Sequence, residues 1–206
     1  QLLNLMMVPS GNDASLVLAE YVGGLETGAT GEEAVKNFVQ MMNDKAKEIG
    51  ATNTHFNNPH GLTDPNHYTT ARDLAKIARY TYQNEKFRKI VSTKEQEIQW
   101  VNPAERKDIY GSTNRLLWNY DDVTGIKTGY TDAAGGCLVA SAQKNGVTLI
   151  AVVLKTSDSR ARFVEGRALL DYGFKHIKEM KTVDEQKLIS SIYTHNSTNY
   201  KTTVKP

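Results

Sequence analysis

Two apolar runs of alternating pattern, Gly136 to Gln143 and Val147 to Lys155, are joined by Lys144-Asn145-Gly146. Asn-Gly between such runs is a strong hairpin signal, because both residues accept the positive φ of the tight turns that match strand twist. A third strand-like segment, Gly125 to Tyr130, lies just upstream, and Glu97-Ile98-Gln99-Trp100-Val101 with Ile109-Tyr110-Gly111 adds a shorter pair across a turn at Asn102-Pro103. The period of two predicts an antiparallel sheet in this half of the chain.

The first half has a different period. Leu2 to Met7, Ala14 to Val22, Gly31 to Ile49 and Thr70 to Asn84 recur at helical spacing, with Val35, Phe38, Val39, Met42 and Ala46 on one face of the long helix. Gly23-Gly24 ends the second of these helices. A helix from about Ser159 to His176, with Phe163, Leu169, Leu170 and Phe174 toward the core, closes the set. Helices, then an antiparallel sheet, then a terminal helix make an α+β layered domain over residues 1–178. Past Lys178 the composition shifts to Lys, Thr, Ser and Asn around Leu188 to Tyr193, which reads as the start of a small β-rich domain over 179–206.

At 206 residues there is room for one sizeable core with a small appendage. Twenty-five basic against twenty-three acidic residues leave +2, which gives no electrostatic case for nucleic acid. The longest apolar runs, such as Leu149 to Leu154, are far short of the ~20 residues that span a bilayer. One cysteine, Cys137, excludes an internal disulfide and a cysteine-based metal cluster; its apolar setting predicts a buried small hydrophobe. No two histidines stand at metal-ligand spacing, and no Gly-rich phosphate loop is present, so neither a metal nor another cofactor is expected.

The chain opens Gln1-Leu2-Leu3-Asn4 inside a helical pattern, without a cap or a signal peptide. Further sequence is therefore expected before Gln1.

The chemistry-bearing strings are Lys127-Thr128-Gly129 and Ser-x-Asn. A bare Lys-Thr-Gly arises by chance in roughly one chain of this length in twenty. Ser-x-Asn occurs three times, at Ser10-Gly11-Asn12, Ser112-Thr113-Asn114 and Ser197-Thr198-Asn199. The first alone sits in a tight turn feeding a helix, which would hold a hydroxyl and a carboxamide side by side, and it precedes Lys127 by a whole helical lobe. Taken without its context, it reads equally well as a helix cap.

Together with Asn58-Pro59-His60-Gly61-Leu62, Thr70-Ala71-Arg72-Asp73-Leu74-Ala75, Asn114-Arg115-Leu116-Leu117-Trp118 and Gly125 to Thr131, Ser10-Gly11-Asn12-Asp13 resembles the low-molecular-mass penicillin-binding proteins, the serine D-alanyl-D-alanine carboxypeptidases. The resemblance runs in colinear order from Gln1 to about Lys178. It implies a β-lactamase-like fold, an antiparallel sheet flanked by helices, and acyl transfer on peptidoglycan stem peptides ending in D-Ala-D-Ala, with β-lactams as covalent ligands of the parent protein. It further implies that Ser10 relays a proton to the leaving amine, that Asn12 bonds the substrate's amide backbone, and that Lys127 supplies charge and joins the proton network. Thr128 and Gly129 would present the strand to the substrate, with Thr128 on the terminal carboxylate; the Tyr130 backbone N–H would be an oxyanion donor. Matching back from Leu169-Leu170-Asp171-Tyr172-Gly173-Phe174 puts Arg162 at the carboxylate-binding arginine, with Arg160 as the fallback. His60 is read as structural. Such a parent would act outside the cytoplasmic membrane, associated with it only through segments beyond these residues.

One departure matters. The family's nucleophile motif, Ser-x-x-Lys, belongs on a helix well before Ser-x-Asn, and only nine residues precede Ser10. The formal match Ser141-Ala142-Gln143-Lys144 falls on a strand, where i and i+3 project to opposite faces. The nucleophile is thus expected before Gln1, and the 206 residues alone are expected not to be acylated by penicillin. A class A β-lactamase would need a Glu-x-x-Leu-Asn string that does not occur. A β-lactamase-like hydrolase and a non-catalytic module that binds peptidoglycan or penicillin are the competing readings.

Overall fold

The computed structural model describes residues 1–177 and the strands 190–193 and 201–204. The chain separates into two units, Gln1–Lys175 and His176–Pro206. In the first, five helices come before the first strand: α1 Leu2–Met7, α2 Asn12–Gly24, α3 Gly31–Glu48, α4 Ala71–Thr81 and α5 Glu85–Val91. A ribbon of β1 Glu95–Gln99 and β2 Lys107–Gly111 and a short α6 Leu116–Asn119 lead into the sheet of β3 Val123–Thr131, β4 Gly135–Lys144 and β5 Val147–Thr156, and α7 Ala161–His176 follows. In the second unit, β6 Ser190–Tyr193 pairs antiparallel with β7 Lys201–Val204. Of the expected strand there, Leu188 and Ile189 lie outside the described residues.

The sheet order is β3-β4-β5, both pairs antiparallel, with Lys127 opposite Val139 and Gly129 opposite Cys137. The hairpin forms as the sequence requires: Asn145 and Gly146 take φ of 51° and 79°. Alternation along β4 feeds two different cores. Leu138, Ala140 and Ala142 pack with Leu116, Leu117, Val123, Ala151 and Leu170, on the side covered by α6 and α7. Val139 faces the other way and joins Ile126, Ile150, Ala78 and Val91 under α4 and α5. Leu138 and Leu170 are each 1% exposed, and burial of one such side chain stabilises by about 2 kcal/mol. Ser141, on the α4 side, is 0% exposed and hydrogen-bonds Thr124 Oγ1, while Lys144 reaches Asp122 at the surface. The Ser-x-x-Lys match therefore does not bring its two side chains together.

Four expectations need correcting. Leu169 is 48% exposed, because α7 turns Gly166 and Leu170 to the sheet and leaves its neighbour in solvent. Cys137 is half-buried at the outer end of β4, with its thiol toward the Ala134 and Gly135 carbonyls, not sealed in a core. The first strand spans Glu95–Gln99, ending before Trp100 and Val101, and Val101 is 90% exposed. Finally α5 and α6 form where no element was expected. Asn84 caps α5 by accepting from the Phe87 N–H.

Asp73, in the first turn of α4, is 0% exposed and organises the loop before that helix. Its carboxylate accepts from Asn53 N at 2.6 Å, Thr54 Oγ1 at 3.2 Å and Lys76 Nζ at 3.2 Å. Burial pushes its pKa up, but the Asn53 amide, Lys76 and Thr54 outweigh it and hold the carboxyl below its ordinary 3.8. A depressed carboxyl pKa gives stability that is full above the unfolded value and lost as pH falls through the folded one. Acid unfolding of the wild type should therefore show a loss below about pH 4 that Asp73→Asn, less stable at pH 7, lacks. Equal pH dependence in both proteins would contradict this role.

Candidate active site

The Ser10 turn is built between α1 and α2. Val8, 2% exposed, anchors it, its carbonyl accepting from Thr113 N at 3.2 Å, and the Gly11 N–H donates to Leu5 O at 2.9 Å. Between these fixed points Ser10 adopts φ 68°, left-handed backbone that a residue with a Cβ enters at a cost. The turn leaves its hydroxyl exposed. Asn12 starts α2, also exposed, while Ser15 donates to the Asn12 carbonyl at 2.6 Å and is buried beneath it.

Across from this turn runs β3, an edge of the sheet. Lys127 Nζ donates to Ser10 Oγ at 2.6 Å and to the Thr128 carbonyl at 3.0 Å. Burial, reinforced by the charge of Arg162, pushes the Lys127 pKa down to about 8. A neutral amine is then within reach near physiological pH. Thr128 is 8% exposed, with its hydroxyl 2.7 Å from that of Thr113. Gly129 and Tyr130 face solvent at the outer end of the strand. From α7, Arg162 Nη1 donates to the Gly129 carbonyl at 2.8 Å, and its Nε is buried without a partner. Burial lowers the Arg162 pKa, yet guanidinium keeps its charge. Arg160 lies in a second hollow beside Arg115 and Ser112.

A cleft of about 740 Å³ opens between the turn and the strand. Ser10 and Asn12 from the turn and Lys127 to Thr131 from the strand line it, together with the apolar Met6, Met7, Phe38, Met42, Leu74 and Ile77. His60 and His67 lie in its wall. The His60 ring accepts from Leu62 N at 3.2 Å, and that of His67 from Asn57 N at 3.1 Å, so both brace the loop. Burial lowers the His67 pKa, with Asp64 opposing and His60 and His55 adding to the fall. A Thr63–Thr131 hydroxyl bond at 2.9 Å ties the same loop to the end of β3. Among the described residues no cluster of His, Cys, Asp and Glu could hold a metal ion.

The structure thus brings Ser10, Asn12, Lys127, Thr128, Gly129 and Tyr130 around one cleft; Arg162 lines the second hollow with Arg160 and reaches the strand only at the Gly129 carbonyl. Of the other Ser-x-Asn strings, Ser197 to Asn199 lies outside the described residues. Ser112 to Asn114 is near the site but serves it from behind β3, through Thr113. Sequence reasoning missed Thr113; its signal was the position just before the Asn114-Arg115-Leu116-Leu117-Trp118 motif. The arrangement offers a serine–lysine hydrogen bond, a strand edge for an extended peptide, and a fixed cation for a carboxylate.

Comparison with known proteins agrees in kind. The family model described as D-alanyl-D-alanine carboxypeptidase, peptidase S11, matches residues 1–158. The D-alanyl-D-alanine carboxypeptidase DacF of Bacillus subtilis is 38% identical over 174 residues, covering 84% of this chain and 42% of the relative. DacA of Haemophilus influenzae is 39% identical over 189 residues, 90% of this chain and 44% of the relative. The chain thus spans less than half the length of these curated relatives. Among solved structures, a Streptomyces DD-transpeptidase superposes with a TM-score of 0.80 at 36% identity, covering 85% of this chain and 67% of that one. The D-alanyl-D-alanine carboxypeptidase DacD of Francisella tularensis gives 0.78 at 29%, covering 99% and 62%.

Proposed function

Since the chain belongs to the D-alanyl-D-alanine carboxypeptidase family, we propose that it forms the Ser-x-Asn and Lys-Thr-Gly half of a serine carboxypeptidase site that removes the terminal D-alanine of peptidoglycan stem peptides. The observation that supports this best is the 2.6 Å bond from Lys127 to Ser10, 117 residues apart, beside a strand edge held by Arg162. An acyl-D-Ala-D-Ala strand lies along β3. Its terminal carboxylate is met by Thr128 and by the charge of Arg162, which already holds the Gly129 carbonyl of that strand. Asn12 bonds the amide backbone, and the Tyr130 N–H receives the developing oxyanion. Ser10 passes a proton from the Lys127 network to the departing D-alanine amine. The acyl group is taken by a serine of a Ser-x-x-Lys helix, with its lysine as base, and water releases it. β-Lactams enter the same site.

The stretch 179–206 belongs to a β-rich domain in this reading. Among the described residues no helix is long and apolar enough to cross a membrane. The work is done outside the cytoplasmic membrane, where peptidoglycan lies.

Two incubations test the assignment. The 206-residue chain is expected to gain no lasting adduct from fluorescent penicillin, because Ser141 and Lys144 point apart and Ser10 is needed as a proton carrier. A polypeptide joining these residues to a Ser-x-x-Lys helix is expected to release D-alanine from a diacyl-Lys-D-Ala-D-Ala peptide. A penicilloyl group on the short chain would place the nucleophile wrongly; absence of D-alanine release from the longer one would sink the assignment.

A further inference from the structure

Thr113 fastens both segments that carry the site. Its backbone N–H donates to the Val8 carbonyl at 3.2 Å, in the turn that presents Ser10, and its hydroxyl lies 2.7 Å from that of Thr128. Thr113 is itself held from both sides. Before it, Ser112 N donates to the Lys94 carbonyl at 2.7 Å; after it, Asn114, 1% exposed, accepts from Leu116 N at 3.2 Å through its Oδ1.

The backbone around Thr128 is already fixed by two cations. Lys127 Nζ donates to the Thr128 carbonyl at 3.0 Å and Arg162 Nη1 to the Gly129 carbonyl at 2.8 Å. Neither fixes the direction of the Thr128 O–H. A hydroxyl has one proton to give, and a carboxylate only accepts. While Thr128 donates to Thr113, it has nothing to offer a carboxylate; while Thr113 donates to Thr128, the Thr128 proton is free. Among the described residues neither hydroxyl has another hydrogen-bond partner, and Thr128, 8% exposed, leaves little room for water to take that part.

We propose that Thr113 is a positioning residue for the substrate's terminal carboxylate: its hydroxyl donates to Thr128 and so turns the Thr128 proton toward that carboxylate. This rests on the carboxypeptidase reading, in which the carboxylate meets Thr128. Bonds in such a chain polarise one another, so the Thr128 hydroxyl is a stronger donor than it would be alone. The consequence is selectivity for a free C-terminus. A peptide ending in a carboxamide offers a neutral, weaker acceptor and gains less from the alignment.

The test uses the polypeptide that joins these residues to a Ser-x-x-Lys helix, and compares diacyl-Lys-D-Ala-D-Ala with the same peptide ending in D-alaninamide. The quantity read is kcat/KM for the acid divided by kcat/KM for the amide, which does not depend on how much of a variant is folded. Thr113→Val keeps the shape and loses the hydroxyl; it is expected to lower this ratio roughly tenfold, chiefly through the KM of the acid. Thr113→Ala is expected to give the same fall. Thr113→Ser, which restores the hydroxyl, is expected to hold the ratio within about twofold of wild type. Equal ratios in wild type and Thr113→Val would overturn the proposal, as would a fall in Thr113→Ser as deep as in Thr113→Val. With either result the wild type still releases D-alanine, and the carboxypeptidase reading stands. A wild type that cleaves neither peptide would overturn both.

Discussion

Lys127→Met, made in a protein that carries these residues together with the Ser-x-x-Lys helix, is expected to lower kcat/KM for D-alanine release by ~10³-fold. The side chain has two tasks in the proposed reaction. It bonds Ser10 at 2.6 Å and so connects the proton carrier to its source, and it places positive charge beside the strand that receives the substrate's carboxylate. Loss of a positioned proton carrier costs ~10²–10⁴-fold, and loss of one electrostatic contact to the reacting group ~10²–10³-fold. The two effects are not additive, because one network carries both. The fall should lie mainly in kcat, with Arg162 keeping most of the substrate affinity. The same variant is expected to melt higher than wild type at pH 7. Burial lowers the Lys127 pKa from 10.5 to about 8, so the folded state holds this proton at a cost, and wild-type stability rises with pH between those two values. Activity lost together with stability gained separates a functional role from damage to the fold. A variant both slower and less stable would contradict the account.

Gly23→Ala should do the opposite and undo the fold. Gly23 lies where α2 crosses α3, and an added Cβ would overlap the Ala34 carbonyl oxygen, with Ala34 C at 2.8 Å and Phe38 N at 2.9 Å. All three are backbone atoms of one helix, so none can swing aside as a side-chain tip could. Overpacking of this kind costs about 3 kcal/mol or more, against a whole-domain stability of about 5–15 kcal/mol. Any relief would require α2 to lift from α3. Since Asn12 begins α2 and Ser10 precedes it, that shift would also carry both away from Lys127. Urea unfolding followed by circular dichroism measures the loss. Gly111→Ala, at a site with nothing within 4 Å of the new methyl, is expected to stay within about 0.5 kcal/mol of wild type. Equal midpoints for the two variants would show that the helix crossing is not as tight as described.

The features that sequence carried well are those set by local chemistry. Asn145-Gly146 can hardly be anything but a hairpin turn, and the change from helical to alternating period between Asn84 and Glu95 marks the change of layer. Residues whose role depends on distant partners were harder to read. The short helix α5 has only Phe87, Ile90 and Val91 among charged neighbours, and it exists because Val91 fits against Gly125 of β3. Leu169 and Leu170 are identical in type, and only the direction from which α7 meets the sheet decides that Leu170 is buried. Cys137 reads as core from its neighbours, but it faces the open end of the strand pair beside Gly129. In the site, Ser10, Asn12 and Lys127 were legible because motif spacing encodes them. Arg162 followed by register from the end of α7. Thr113 was missed, because its position just before the Asn114 motif does not by itself say that its hydroxyl meets that of Thr128.

Labelling by fluorescent penicillin tests the central claim most directly, in a polypeptide that unites these 206 residues with the Ser-x-x-Lys helix. The account predicts one covalent adduct, mapped to the serine of that helix and lost in Lys127→Met. An adduct that forms equally well in Lys127→Met, or no adduct at all on the unaltered protein, would contradict it.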